Sequence, residues 1–175
     1  KTALLVTVER PYPGRRELSD HTTQESVEIQ HFFFDAKHAG ATAAVIEVSS
    51  HALSLSRVLD CEFDAVLFNN LDLDHQDFYN GIEPYYEAKR LLFTSFNGPH
   101  SKKHLVGVSN ADDSYGQRLV HEAKIPLFTF GLHDADYSAS GLEVNSSNIA
   151  GNILAPNDAL IPIDSALAPT HFNRY

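Results

Sequence analysis

Three side chains of the kinds that build active sites stand at comparable places in the sequence. Glu47 lies in the phrase IEVSSH, His75 follows twenty-eight residues later in NNLDLDHQDF, and Lys89 comes soon after in YYEAKRLLF. Each follows, or lies just beyond, an apolar run with strand character, and open α/β sheets assemble their sites at such points. A fourth group, Thr22-Thr23-Gln24, precedes a helical segment. Two hydroxyls and the exposed amides of a helix start make a good site for an anion.

Taken singly, each group also has a plainer reading. A glutamate at a strand end followed by Ser49 and Ser50 reads as the entry to a helix, with either serine as N-cap. Thr22 with Glu25 three residues later has the spacing of a capping box. Lysines on helices usually face solvent. Asp72, Asp74, His75 and Asp77 make an acidic stretch, but it lacks the glycine and the twelfth-position glutamate of a calcium-binding EF-hand loop.

The elements that must position these groups alternate. Apolar, β-rich runs fall at residues 3–8, 43–48, 65–68, 105–108 and 127–130. Helical segments are predicted at 26–39, at 82–96, where Tyr85, Ala88, Leu92 and Phe96 recur at three- and four-residue intervals, and at 116–123. Such alternation implies α/β architecture, a mostly parallel sheet flanked by helices. From about Tyr137 the pattern changes to short apolar stretches broken by Gly, Asn and Pro, which we read as a small antiparallel β appendage over 137–163. The expected organisation is a single domain, with a sheet core over 1–136, the appendage, and a return to the core over 164–175.

A chain of 175 residues with 43% apolar content suits one domain with a real core. No apolar run approaches the roughly 18 residues of a membrane span, and we expect no membrane partner. The net charge of −10 argues against a general nucleic-acid or membrane-surface binder, which needs a cationic field. Cys61 stands alone, so there is no disulfide framework or paired-thiol metal site. With no signal segment at its start, the chain is expected in a reducing cytoplasm.

The order and spacing of these phrases resemble the central domain of the Mur ligases, the ATP-dependent enzymes that add amino acids to the peptidoglycan precursor. They are most similar to the UDP-N-acetylmuramoyl-tripeptide synthetase (MurE) type. The likeness rests on EVSSHAL, with Arg57-Val58 and Phe63-Asp64 in step behind it. It rests also on Asn70, Leu71, Asp74, His75, Asp77, Glu83, Tyr85, Ala88 and Lys89, which fall in register with the family's NLxxDH and AK-x-x-F phrases. Gln24 replaces a usual proline and is expected to loosen its turn, and Thr170 replaces a glycine before His171-Phe172-Asn173. Asn69 for Thr, Asp72 for Ser and Leu73 for Arg are further departures.

The resemblance implies a P-loop-NTPase-like fold and assigns roles. Glu47 and His75 become ligands of Mg²⁺, joined by Lys89 once carbon dioxide has carbamylated it. Only a neutral amine attacks carbon dioxide, so such a lysine must be partly desolvated. Thr22, Thr23, Ser49 and Arg57 become contacts of the UDP-muramoyl peptide, Arg57 offering a fork suited to phosphate or carboxylate. Asn173 becomes a contact of the ATP adenine. The partners implied are the UDP-muramoyl-peptide and an amino acid, in a bacterial cytoplasm.

No G-x-x-x-x-G-K-[ST] phosphate loop occurs in the 175 residues. The expected chain is therefore the middle domain without its first strand, P-loop and following helix, and without the domains that bind UDP and the incoming amino acid. Two rivals stay open: a muropeptide-binding remnant without ATP chemistry, and a folate- or cyanophycin-type ligase of the same superfamily. The TTQES and EVSSHAL phrases favour a muramoyl substrate. Three spatial expectations follow: that Glu47 meets His75, that Lys89 faces the same edge, and that Thr22, Thr23, Ser49 and Arg57 share a pocket.

Overall fold

In a computed structural model the structure describes residues 1–7, 10–16, 18, 21–72, 78–95, 102, 104–145 and 147–166. They fall into two compact units, one built from Lys1–Glu62 and Asp77–Leu92, the other from Phe63–Gln76 and Phe93–Tyr175. No helix among them is long and apolar enough to cross a membrane. The architecture is α/β.

The first unit carries a two-stranded parallel sheet of β1 (Thr2–Leu5) and β2 (Ala43–Ile46), in register from Thr2 opposite Ala43 to Leu5 opposite Ile46. Alternation along β1 turns Ala3 and Leu5 fully inward and Leu4 outward. Between them runs α1 (Ser26–His38), which buries Ile29, Phe32 and Ala36, residues three, four and seven apart and so on one face. Its N-cap is Glu25, whose N–H donates to the Glu28 carboxylate at 3.2 Å. The expected capping box between Thr22 and Glu25 is thus displaced by three residues. Lys37 and His38 in the last turn suit the negative end of the helix dipole. The short α2 (Ser50–Ser54) starts on Ser49, whose Oγ accepts the Ala52 N–H at 3.2 Å.

The second unit holds a six-stranded sheet in simple sequence order: β3 (Ala65–Phe68), β4 (Val106–Asn110), β5 (Leu127–Gly131), β6 (Tyr137–Val144), β7 (Ile149–Leu154) and β8 (Leu160–Ser165). The first three pairings are parallel and the last two antiparallel. The antiparallel segment expected from residue 137 is therefore present, and it continues the parallel sheet through two residue pairs, Phe130 with Tyr137 and Gly131 with Ser138. Before β4 in sequence comes α3 (Ile82–Thr94), which belongs to the first unit as far as Leu92, with Tyr85, Tyr86, Ala88, Leu92 and Phe93 buried.

Between β4 and β5 lies α4 (Ser114–Glu122), capped by Asp113, whose Oδ1 accepts from Tyr115 N at 3.0 Å and Gly116 N at 2.8 Å. Gly116 is required here, because a methyl group in its place would run into the Asn110 carbonyl. The buried Ser109 hydroxyl donates to the Gly116 carbonyl at 2.9 Å and ties helix to strand.

Candidate functional site

Strand β2 ends at Ile46, earlier than the apolar run suggests, and so frees Glu47 just past the sheet. The Glu47 N–H still donates to the Leu5 carbonyl at 2.8 Å, which fixes the backbone of this exposed residue. Its side chain is held from β1's side: Thr7 donates to Glu47 Oε2 twice, from its amide at 3.0 Å and from its hydroxyl at 2.7 Å. The apolar run at 3–8 is strand only to Leu5 for the same reason, since Thr7 bonds a side chain instead of a ladder carbonyl. The Thr22 hydroxyl lies 3.3 Å from Thr7 Oγ1.

Thr23, 1% exposed, is the hub of the neighbouring cluster. Its hydroxyl donates to the Glu47 carbonyl at 2.9 Å and accepts the Ser49 N–H at 2.9 Å. Its carbonyl accepts from Arg57 Nη1 at 3.0 Å, and the other arm of that guanidinium ion-pairs with Glu25. Thr22, Thr23, Ser49 and Arg57 therefore come together around the end of β2. Arg57 Nε is buried without a partner among the described residues, and so is the hydroxyl of Ser50, itself 2% exposed. Gln24, expected to loosen the turn, is buried and donates from Nε2 to the His21 carbonyl at 2.7 Å, which closes the turn that a proline would have stiffened.

Lys89 is half-buried on α3, with Nζ 4.9 Å from the centroid of the Tyr85 ring. That ring packs on Tyr79 at 5.3 Å, and Tyr79 in turn bonds Ser54 on α2 through its hydroxyl at 3.0 Å. His51 lies against Phe78 and Tyr79, with ring centroids 4.1 and 5.6 Å away. An aromatic wall thus joins α2, which begins three residues after Glu47, to the helix that carries Lys89. His75 and Asn173 lie outside the described residues, as do Asp74 and Asp77.

Oxygen dominates the surroundings of Glu47: its own carboxylate and the hydroxyls of Thr7 and Thr22. Of these, the Glu47 carboxylate is the kind of oxygen donor that suits a hard divalent cation. No group of three or more His, Cys, Asp or Glu able to hold a metal occurs among the described residues.

Thr7 carries no signal of its own in the sequence, because its partner lies 40 positions away. In parallel register Leu5 faces Ile46, so the chain segments past the two strand ends run close together, and Thr7, two positions beyond Leu5, meets the Glu47 side chain there.

A cavity of about 500 Å³ in the first unit is lined by Ser26, Gln30, His31, Phe34, Arg57 and Asp60, and so opens beside the Arg57 cluster. The larger cavity, about 610 Å³, belongs to the second unit near the ends of β4 and β5, and none of the expected site residues lines it.

A family described as Mur ligase middle domain matches residues 1–174. The chain is 41% identical over 170 residues to a UDP-N-acetylmuramoyl-L-alanyl-D-glutamate–2,6-diaminopimelate ligase of Streptomyces avermitilis, covering 95% of the chain and 32% of that protein. It is 40% identical over 156 residues to the enzyme of the same name from Geobacter sulfurreducens, covering 88% of the chain and 31% of that protein. The chain spans about a third of the length of these curated relatives. A solved structure of a diaminopimelate ligase of this name superposes with a TM-score of 0.79 at 29% identity, over 98% of the chain and 34% of its own. MurF from Acinetobacter baumannii shares the fold, with a TM-score of 0.62 at 16% identity over 76% of the chain and 28% of its own. With the match running from residue 1 to residue 174, the chain belongs to the Mur ligase family, as a middle domain.

Proposed function

We propose that the chain serves as the central domain of an ATP-dependent ligase that joins 2,6-diaminopimelate to UDP-N-acetylmuramoyl-L-alanyl-D-glutamate in the bacterial cytoplasm. The observation that carries this reading is the convergence of Thr22, Thr23, Ser49 and Arg57 on the strand end that presents Glu47. The names of the relatives supply the substrates.

In the proposed reaction a terminal carboxylate of the muropeptide takes the γ-phosphoryl group of ATP, giving an acyl phosphate and ADP. The amine of the amino acid then attacks the acyl carbon, phosphate leaves, and the amine loses a proton as the amide forms. Arg57, Ser49 and the Thr22 hydroxyl hold the anionic muropeptide, the buried Thr23 hydroxyl fixes the strand end beside them, and Asn173 contacts the adenine. Glu47, His75 and carbamylated Lys89 would hold Mg²⁺, which would offset the negative charge gathered on the phosphoryl oxygens.

The test uses the complete natural polypeptide that carries these residues, with ATP, Mg²⁺, the UDP-muramoyl dipeptide, and either diaminopimelate or L-lysine. ADP release that needs both substrates, with the amide product seen by mass spectrometry, is the expected result. Product with lysine alone would change the amino acid and keep the reaction. Muropeptide binding without turnover, or addition of glutamate to a folate, would overturn the proposal.

A further inference from the structure

Thr7 has no assigned task, yet it makes the two bonds that orient the Glu47 carboxylate. Its N–H and its hydroxyl converge on the same oxygen, Oε2, at 3.0 and 2.7 Å. Among the described residues nothing bonds Oε1. An exposed glutamate left to itself rotates freely about its last torsion and offers either oxygen. With Oε2 held by two donors, the torsion is fixed and Oε1 is left as the outward ligand. Bonds to a charged acceptor are the stronger kind, and outer partners of this sort commonly set how well a carboxylate binds its metal. The Thr22 hydroxyl, 3.3 Å behind Thr7 Oγ1, steadies the donor in turn.

We propose that Thr7 is a positioning residue for the divalent-cation site, acting through Glu47. The inference rests on the reading of Glu47 as a cation ligand. Its action is geometric: Thr7 touches neither substrate nor metal, and holds Glu47 in the one pose that presents Oε1.

Mn²⁺, a hard cation with a clear magnetic signal, serves as the probe, titrated into the complete natural polypeptide and followed by electron paramagnetic resonance. Thr7→Val keeps the amide donor and the branched shape but loses the hydroxyl, and should weaken Mn²⁺ binding on the order of tenfold. Thr7→Ser should restore binding to within about twofold of wild type, which a purely steric role would not require. Thr7→Ala removes the hydroxyl without the branch and gives a second reading should the valine disturb folding. Thermal melting of the metal-free variants separates the two kinds of role. A lower melting temperature with unchanged Mn²⁺ affinity would overturn the proposal. So would wild-type affinity in Thr7→Val when Glu47→Gln has lost the site, with the Glu47 assignment left intact. Unchanged binding in Glu47→Gln would instead remove the Glu47 reading, and this proposal with it.

Discussion

The Thr23 hydroxyl bridges the two residues on either side of Val48, donating to the Glu47 carbonyl and accepting from the Ser49 amide, each at 2.9 Å. One buried side chain thereby sets both the turn out of β2 and the start of α2. Thr23→Val should lower stability by about 2 kcal/mol, because a carbonyl and an amide lose their partner at a part-buried site. Thr23→Ser should recover most of it. Denaturant midpoints of the two variants give the comparison, and an unchanged midpoint in the valine variant would refute the bridging role.

Gly116→Ala sets two effects against each other. Alanine favours a helix interior over glycine by about 1 kcal/mol. The added methyl, however, meets the backbone carbonyl of Asn110, which cannot rotate away as a side chain could. Overpacking of this kind costs about 1–3 kcal/mol, so net destabilisation is expected, measurable as a lower melting temperature.

The aromatic support beneath Lys89 allows a sharp test of its role. Lys89→Arg keeps the positive charge and its attraction to the Tyr85 ring, yet a guanidinium forms no carbamate. If the carbamate matters, Arg and Ala should both cut turnover of the complete polypeptide by on the order of 10² or more. Small added carboxylates should partly rescue the alanine variant. Near-normal activity in Lys89→Arg would remove the carbamate from the proposal.

Burial, aided by the neighbouring Asp60 charge, pushes the Cys61 thiol up from 9.0 to about 11. The unfolded chain thus gives up this proton first as pH rises, and between about pH 9 and 11 the native state binds more protons than the unfolded one. Stability is full below pH 9 and falls across that interval. Urea midpoints at pH 8, 9.5 and 11 should decline in wild type more than in Cys61→Ala.

Much of this was legible in the sequence where the signal is local. The run at 65–68 is a strand with the boundaries read from it, and Ser49 caps α2 as its type and place suggest. The apolar runs at 3–8 and 43–48 outlast the strands they mark, because polar atoms past Leu5 and Ile46 prefer each other to the ladder. The Thr22–Glu25 spacing suggests a capping box, but Thr23 turns to β2 and the cap falls to Glu25. Thr7 stayed hidden because its partner is 40 positions away, and only the pairing of β1 with β2 brings them together. The union of the meander with the parallel sheet was equally hidden, since it rests on two residue pairs.

The layout of the strands also implies an order of assembly. In β6, β7 and β8 each strand pairs with its neighbour in sequence, across turns as short as the one from Asn145 to Asn148. Joining β1 to β2 closes a loop about ten times longer, from Leu5 to Ala43, and loop-closure entropy makes that step harder by about 2 kcal/mol. The hairpins of the second unit should therefore gain protection from hydrogen exchange first. The strand end that carries Glu47 is then completed late, when Thr7 and Thr23 arrive from distant parts of the chain to hold it.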